Sequence, residues 1–305
     1  ERKINQSSLL NFILWTLRTF VTTFFFVRQE LQKTDKKKTY FLIHGDTVSS
    51  LIGAVVGFLN GVKIVHIESG LRSFNFFEPF PEELCRYIIS ALARVHFCPN
   101  EWSVGNLSHM RGDKINTFQN TLIETFTAAM ESQSKYKLTN TKKRYYVIVF
   151  HRQEHVVFGK NKGGSILEYI LRNSNPSLEC VFLLHETTSK FLTSTGADKV
   201  LKKVGTVHLI SQMPYTDFMK LIEKAEYLVT DGGSNQEEMY YMGKPCLLIR
   251  NHTERIEGLG ENIILGRSNK RIIKQFLMNY SQYKKKRITQ FISPSKIIAD
   301  YLIKN

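Results

Sequence analysis

Cysteine is scarce in this chain. Its four cysteines, Cys85, Cys98, Cys180 and Cys246, stand far apart among 305 residues and form no C-x-x-C pair. That spacing argues against a thiolate zinc site or a disulfide framework and suits a reducing compartment. Acidic residues are also outnumbered, 27 against 42 lysines and arginines, which leaves a formal net charge of +15. An excess of this size points to an anionic partner such as phosphate, a nucleotide, nucleic acid or a membrane surface. No RNA- or DNA-binding signature accompanies it, and the lysines gather in "KTDKKK" (33–38), "KYKLTNTKKR" (135–144) and "YKKKR" (283–287), which read as solvated connectors. Nucleic acid is therefore not an expected partner. A repeat of fixed period and a cleavable signal pattern are both missing. The apolar stretch "LLNFILWTLRTFVTTFFFV" (9–27) is interrupted by Asn11, Arg18 and four threonines, and a charge at mid-span is costly in lipid. It reads as a helix buried against a sheet, without stable membrane insertion. Glu1 stands where an initiating methionine is usual, so the chain reads as a fragment.

What is present is an alternation of short apolar runs with helical patterns, the mark of βαβ units and a parallel sheet. Hydrophobic residues make up 42% of the 305, enough for two packed domains. "TYFLIH" (39–44), "KIVHI" (63–67) and "VHFCP" (95–99) are expected strands, and helices are expected from Leu51 to near Gly61, from Pro81, and over 101–112. Glu82 and Glu83 would face the positive N-terminus of the Pro81 helix. A second series follows with "YYVIVF" (145–150), "CVFLL" (180–184), "VHLI" (207–210), "YLVT" (227–230) and "PCLLI" (245–249). The expected organisation is a Rossmann-like domain over 1–131, a linker over 132–144, a second Rossmann-like domain over 145–285 and a helical tail over 286–305. In doubly wound α/β domains ligands sit at the carboxyl ends of strands.

That rule selects residues. His44 and Asp46 follow the first strand, Glu68 and Gly70 the second, His151 and Arg152 the strand "YYVIVF", and Asp231, Gly232, Gly233 and Ser234 the strand "YLVT". Each has a structural explanation: Asp46 or Ser234 as a helix cap, Glu82 as a dipole charge, His151 as a satisfied core histidine. Four such strand ends together form a stronger signal than any one of them. In "TDGGSNQEEMYYMGKP" (230–245) small residues expose backbone N–H groups at a helix start, a ready place for a diphosphate. Ser234 and Glu237 have capping-box spacing, which leaves Glu238 to accept hydrogen bonds from ribose hydroxyls.

The motifs "HGDT" (44–47), "HIESGLRS" (66–73), "PFPEE" (79–83), "HRQE" (151–154), "TDGGSNQEE" (230–238) and "TERIE" (253–257) together resemble the UDP-N-acetylglucosamine 2-epimerase family, chiefly its non-hydrolysing bacterial branch. The resemblance implies a glycosyltransferase-B-like α/β fold of two Rossmann-like doubly wound domains, with UDP-sugar in the cleft and the first domain lacking its opening segment. It implies reversible C2 epimerisation of UDP-GlcNAc to UDP-ManNAc, for surface polysaccharide, in a cytoplasmic homodimer that needs no cofactor or metal. The sugar's C2 proton is barely acidic, so the family eliminates UDP across C1–C2 to give a 2-acetamidoglucal and adds it back. That route needs carboxylates on opposite faces of the sugar and positive charge for the departing UDP. By resemblance Asp46, Glu68 and Glu82 are the carboxylates, with the choice of base left open, and His151 steadies the diphosphate. His44, Arg72, Arg152, Gly232, Gly233, Ser234, Glu238 and Arg255 complete the substrate site.

The sequence also departs from the family pattern. The Gly-Thr-Arg-Pro-Glu loop that follows the family's first strand is missing, "GGS" (232–234) replaces the usual Ser-Gly-Gly, Ile256 replaces proline and Ser69 replaces the commoner alanine. Two alternatives therefore stay open: a hydrolysing epimerase that releases ManNAc and UDP, and an inactive, truncated UDP-sugar-binding relic. An inverting glycosyltransferase would share the fold and the glycine-rich turn but has no need for the three carboxylates.

Overall fold

Strand-forming sequence and buried parallel sheet coincide closely in this chain. The computed structural model describes residues 9–133, 143–150, 160–184, 188 and 207–305, and these divide into two units. The first runs from the N-terminal residues to Thr121 and takes in Ile292–Asn305, and the second spans Leu122–Phe291. Helix 122–131 thus belongs to the second unit and the C-terminal helix to the first.

In the first unit, β1 (Tyr40–His44), β2 (Lys63–Ile67), β3 (Val95–Cys98) and β4 (Asp113–Asn116) form a parallel sheet in the order β1-β2-β3-β4. Around it lie α1 (Leu9–Leu31), α2 (Val48–Leu59), α3 (Glu82–Leu92) and the short α4 (Glu101–Asn106). Alternation along the strands sorts the side chains between two faces. Ile43 and Ile64 pack on α2 and α3 through Ala54, Cys85 and Ile89, while Val65, Val95 and Phe97 meet Ile298 of the C-terminal helix.

Helix α1 is not buried against a sheet as its sequence suggested. It packs chiefly on α2, where Trp15, Phe20, Phe24, Val27 and Leu31 cluster with Ile52 and Val56, with Val62 and Phe41 of β1 at the margin. Leu10, Ile13, Leu14, Leu17, Val21, Phe25 and Phe26 stay exposed on its other side. Thr16 and Thr22 satisfy their hydroxyls on the carbonyls of Phe12 and Arg18, at 2.9 and 2.8 Å, so these two polar interruptions are absorbed within the helix. By length and composition Leu10–Leu31 would suit a membrane span, but Arg18 lies within it.

The second unit opens with α5 (Leu122–Glu131) and holds β5 (Tyr145–Val149), β6 (Glu179–Leu184), β7 (Val207–Ser211), β8 (Leu228–Thr230), β9 (Cys246–Leu248) and β10 (Ile263–Leu265). They pair in parallel in the order β10-β9-β8-β5-β6-β7. Read from β7 this is the 3-2-1-4-5-6 order of a dinucleotide-binding sheet, whose direction of winding reverses between β5 and β8. Both faces are covered. Val147, Val149, Val181 and Leu228 pack against α5, α7 (Tyr215–Lys224) and α8 (Gly233–Met242), while Tyr146, Ile148, Phe182 and Val229 pack against α6 (Lys160–Asn173) and α9 (Lys270–Asn279). The final helix, α10 (Pro294–Lys304), is capped by Ser293, whose Oγ accepts from Lys296 N at 3.2 Å.

Candidate active site

The carboxyl ends of β1 and β2 lie side by side, because His44 pairs with Ile67 in register. Gly45, at φ +68°, turns the chain out of β1 and presents Asp46, and a side chain there would approach Glu68 Oε2 to 3.3 Å. Glu68 itself has φ +66°, an uncommon conformation for a residue with a side chain. Its carboxylate accepts from Asn120 Nδ2 at 2.6 Å. Gly70 follows at φ +83°, and a Cβ there would lie 2.2 Å from the Ser103 carbonyl, so the turn can close only on glycine.

The start of α3 supplies the rest of the first-unit cluster. Glu82 is its first residue, and Asp46 and Glu82 both help, after burial, to push the Cys85 thiol up to about 11. Its neighbour Glu83 is fully buried and acts as a hub. Arg72 Nε donates to it at 2.6 Å, Arg86 Nη1 at 3.1 Å, Ser73 N at 3.0 Å and Phe74 N at 3.3 Å. Arg86 also donates to Asp46 Oδ2 from Nε at 2.8 Å and from Nη2 at 2.5 Å. Burial alone would raise the Glu83 carboxyl, but the Ser73 N–H and the two guanidinium groups outweigh it and hold the group below the usual carboxylate range. Arg86 thus ties Asp46 to the first turn of α3, where Arg72 also holds Glu83, and Glu68 lies against Gly45, the residue before Asp46. Arg72 additionally lies over the rings of Phe74 and Tyr87, at 5.2 and 5.5 Å. His44 sits exposed at the end of β1.

In the second unit the turn after β8 begins α8. Gly232 is the N-cap and has no side-chain cap bond, so the Ser234–Glu237 capping box expected from spacing does not form. Glu237 is held by ionic means instead, paired with Arg255 Nη1, while Arg255 Nε lies 3.8 Å from Glu254 and Arg250 Nη2 donates to Glu254 at 2.6 Å. All four of these side chains are buried. This cluster explains Gly233, where a Cβ would lie 2.6 Å from Glu254 Oε1 and 2.9 Å from Arg255 Nε. Ser234 is exposed beside it at the helix start. Glu238 is buried, accepts from Asn235 Nδ2 at 2.8 Å and has the Tyr215 hydroxyl against it. Burial, first among the causes, raises its carboxyl above the ordinary range. His151 and Arg152 lie outside the described residues.

Of the residues singled out from sequence, Asp46, Glu68, Glu82 and Arg72 come together in the first unit, and Gly232, Gly233, Ser234, Glu238 and Arg255 in the second. Glu83, Arg86 and Asn120 were not singled out. The E-x-x-R spacing of Glu83 and Arg86 on a helix face was the available signal for two of them. Asn120 offered none, since 52 residues separate it from Glu68. Chemically the first-unit corner offers carboxylates for proton transfer. The second-unit turn offers backbone N–H groups at a helix start with an acceptor, Glu238, one turn further on. Among the described residues no group of histidine, cysteine, aspartate or glutamate side chains is arranged to hold a metal ion.

Comparison with known proteins places this arrangement. The profile of the UDP-N-acetylglucosamine 2-epimerase family matches residues 28–293. A UDP-N-acetylglucosamine 2-epimerase of Neisseria meningitidis is 33% identical over 297 residues, covering 89% of this chain and 77% of that protein. One from Campylobacter jejuni is 30% identical over 259 residues, covering 79% and 67%. The crystal structure of the UDP-GlcNAc 2-epimerase from Neisseria meningitidis bound to UDP-GlcNAc superposes with a TM-score of 0.80 at 28% identity, over 100% of this chain and 84% of that one. The Methanocaldococcus jannaschii UDP-GlcNAc 2-epimerase, 24% identical over 95% of this chain and 81% of that one, shares the fold with a TM-score of 0.81. The fold is thus glycosyltransferase-B-like, built of Rossmann-like units. This chain belongs to the UDP-N-acetylglucosamine 2-epimerase family.

Proposed function

We propose that this chain reversibly interconverts UDP-GlcNAc and UDP-ManNAc by the elimination route. A carboxylate removes the C2 proton as the C1–O bond breaks and UDP leaves, giving 2-acetamidoglucal. UDP then re-adds at C1 while a carboxylic acid delivers a proton to the opposite face of C2. Asp46, Glu68 and Glu82 share the acid and base roles, and Arg86 and Asn120 fix the first two of them. Gly232, Gly233 and Ser234 cradle the diphosphate at the start of α8, where the helix dipole favours negative charge. Glu238 receives the ribose hydroxyls. Arg255, His151 and Arg152 contribute positive charge around the leaving diphosphate, and His44 and Arg72 border the sugar. In this reading the enzyme is a cytoplasmic homodimer that feeds surface polysaccharide synthesis.

The observation that carries the proposal is the acidic corner. Two adjacent strand ends and a helix start bring Asp46, Glu68 and Glu82 together, with Glu83 and two arginines holding the frame. A nucleotide-sugar transferase that moves no C2 proton has no use for such a set. Anion-exchange chromatography of UDP-GlcNAc incubated with the chain tests it. UDP-ManNAc formed while total UDP-sugar is conserved supports the proposal. Free ManNAc with an equal amount of UDP indicates the hydrolysing reaction instead, and unchanged UDP-GlcNAc indicates a binding relic.

A further inference from the structure

His66 on β2 and His96 on β3 are register partners on adjacent parallel strands, so their rings lie on the same face of the sheet. Both are buried, as is Ser69, which follows the Glu68 turn. Ser69 Oγ stands 2.9 Å from His66 Nδ1 and 3.0 Å from His96 Nδ1. At the outer ends, His66 Nε2 lies 3.0 Å from the Gly45 carbonyl and His96 Nε2 lies 3.0 Å from the Arg111 carbonyl. One unbroken relay therefore runs from the residue before Asp46, through the residue after Glu68, to the loop beyond β3.

Each of these four contacts needs one hydrogen. Two neutral imidazoles and one hydroxyl supply only three. Whatever the tautomers, one contact in the neutral relay sets lone pair against lone pair. A single added proton completes the set, with one ring as imidazolium donating from both nitrogens. A serine hydroxyl at this position is what creates the shortage, because an alanine would leave two contacts and two hydrogens. The groups bearing on His66 are Glu68, which favours its protonation, and His44 and His96, which oppose it. Those bearing on His96 are Asp113, which favours it, and Lys114 and Arg94, which oppose it.

We propose that Ser69 is a positioning residue that makes His66 and His96 a shared site for one proton and, through it, clamps the turns that carry Asp46 and Glu68. The clamp acts on backbone. His66 Nε2 holds the Gly45 carbonyl, and Ser69 N donates to the Phe97 carbonyl at 2.9 Å, fixing the positive-φ Glu68 between two anchored neighbours. Burial, with His96 and His44 beside it, outweighs the Gly45 carbonyl and Glu68, and together these influences draw His66 down to about 4. The unfilled fourth contact works against that pull, so the pair binds its proton at a higher pH with Ser69 than without it. Its bearing on turnover rests on the epimerase reading above; its bearing on the histidines does not.

The experiment compares the full chain with Ser69→Ala by ¹H–¹⁵N correlation of the histidine rings across pH, with His66 and His96 assigned from single glutamine variants. The expected result is uptake of one proton by the pair in the parent chain, at an apparent pKa about one unit above that of Ser69→Ala, as expected for loss of one hydrogen bond to a charged ring. In turnover, Ser69→Ala should lower kcat about tenfold with KM within about twofold, the pattern of an interaction that matters chiefly in the transition state. Identical ring titrations in the two proteins would overturn the shared proton site. An unchanged kcat beside altered titrations would overturn the positioning role. If the parent chain turned nothing over, the epimerase reading would fall and the ring titrations would still decide the relay.

Discussion

Glu83→Gln is the most informative single change in the acidic corner. It keeps the side chain's size and removes its charge. Glu83 is fully buried and receives Arg72 at 2.6 Å, Arg86 at 3.1 Å and the amides of Ser73 and Phe74 at 3.0 and 3.3 Å. Deleting one partner of a buried ion pair costs about 3–5 kcal/mol, because the remaining charge stays desolvated. Two opposing facts set where in that range the variant falls. The Ser73 and Phe74 amides donate to different carboxylate oxygens, so the single glutamine oxygen keeps only one of them, whereas Arg86 keeps Asp46. The expected loss is therefore about 3 kcal/mol, equivalent to roughly 6–12 °C in midpoint for a domain of this size. The pH dependence gives a second, independent check. The folded carboxyl is held below its ordinary value, so its contribution is complete above the unfolded value and is lost as pH falls through the folded one. In urea denaturation followed by circular dichroism, the gap between parent and variant should be constant from pH 7 to about 5 and should close below about pH 4. A variant within about 0.5 kcal/mol of the parent at pH 7, or a gap indifferent to pH, would refute the hub.

Three further outcomes follow from the same geometry. Asp46→Asn should lower kcat by about 10²- to 10⁴-fold, the usual worth of a positioned acid or base, while UDP affinity measured by calorimetry stays within about threefold. Gly233→Ala forces a Cβ to within 2.6 Å of Glu254 Oε1 and 2.9 Å of Arg255 Nε, both in a packed buried cluster. It should destabilise the chain by about 1–3 kcal/mol in thermal melts and weaken UDP binding together with stability. Burial raises the Glu238 carboxyl, so the ionised form proposed to receive the ribose is present above that raised value and is lost as pH falls through it. Calorimetric UDP affinity should therefore begin to decline above the ordinary carboxylate range on acidification, and Glu238→Gln should remove that decline.

Much of the fold could be read in the sequence where burial on both sides of a sheet leaves an uninterrupted apolar word. "KIVHI" became β2 at its expected bounds, and "YYVIVF" and "CVFLL" became β5 and β6 within a residue. The two strands not foreseen, "DKIN" (113–116) and "IIL" (263–265), are edge strands with one neighbour each, and the first is only partly buried and polar. For "DKIN", edge position removes the pressure for apolar side chains, whereas "IIL" is apolar but only three residues long, too short to stand out. The helix expected over 101–112 closes at Asn106, six residues before the glycine taken as its end. α1 misled for a related reason: its apolar residues were assigned to a core, yet only one stripe of them finds a partner on α2. At the site, strand-end position was enough to bring Asp46, Glu68 and the glycine-rich turn forward as candidates. It was blind to what holds them. Glu83 was read as a dipole charge like Glu82, although one faces inward to two arginines, and helical position alone does not separate adjacent glutamates. Glu237 was likewise assigned to a cap by spacing, whereas its partner, Arg255, is supplied by a loop 18 residues on.

The claim that matters most is that the acidic corner moves the C2 proton. Proton NMR of UDP-GlcNAc incubated with the chain in D2O tests it directly, because the elimination route exchanges that hydrogen with solvent at every turnover. The expected result is loss of the C2 proton signal from the UDP-sugar pool with deuterated UDP-ManNAc appearing, both slowed by about 10²-fold or more in Asp46→Asn. UDP-ManNAc that keeps its C2 proton, or exchange at the parent rate after the loss of Asp46, would contradict the account.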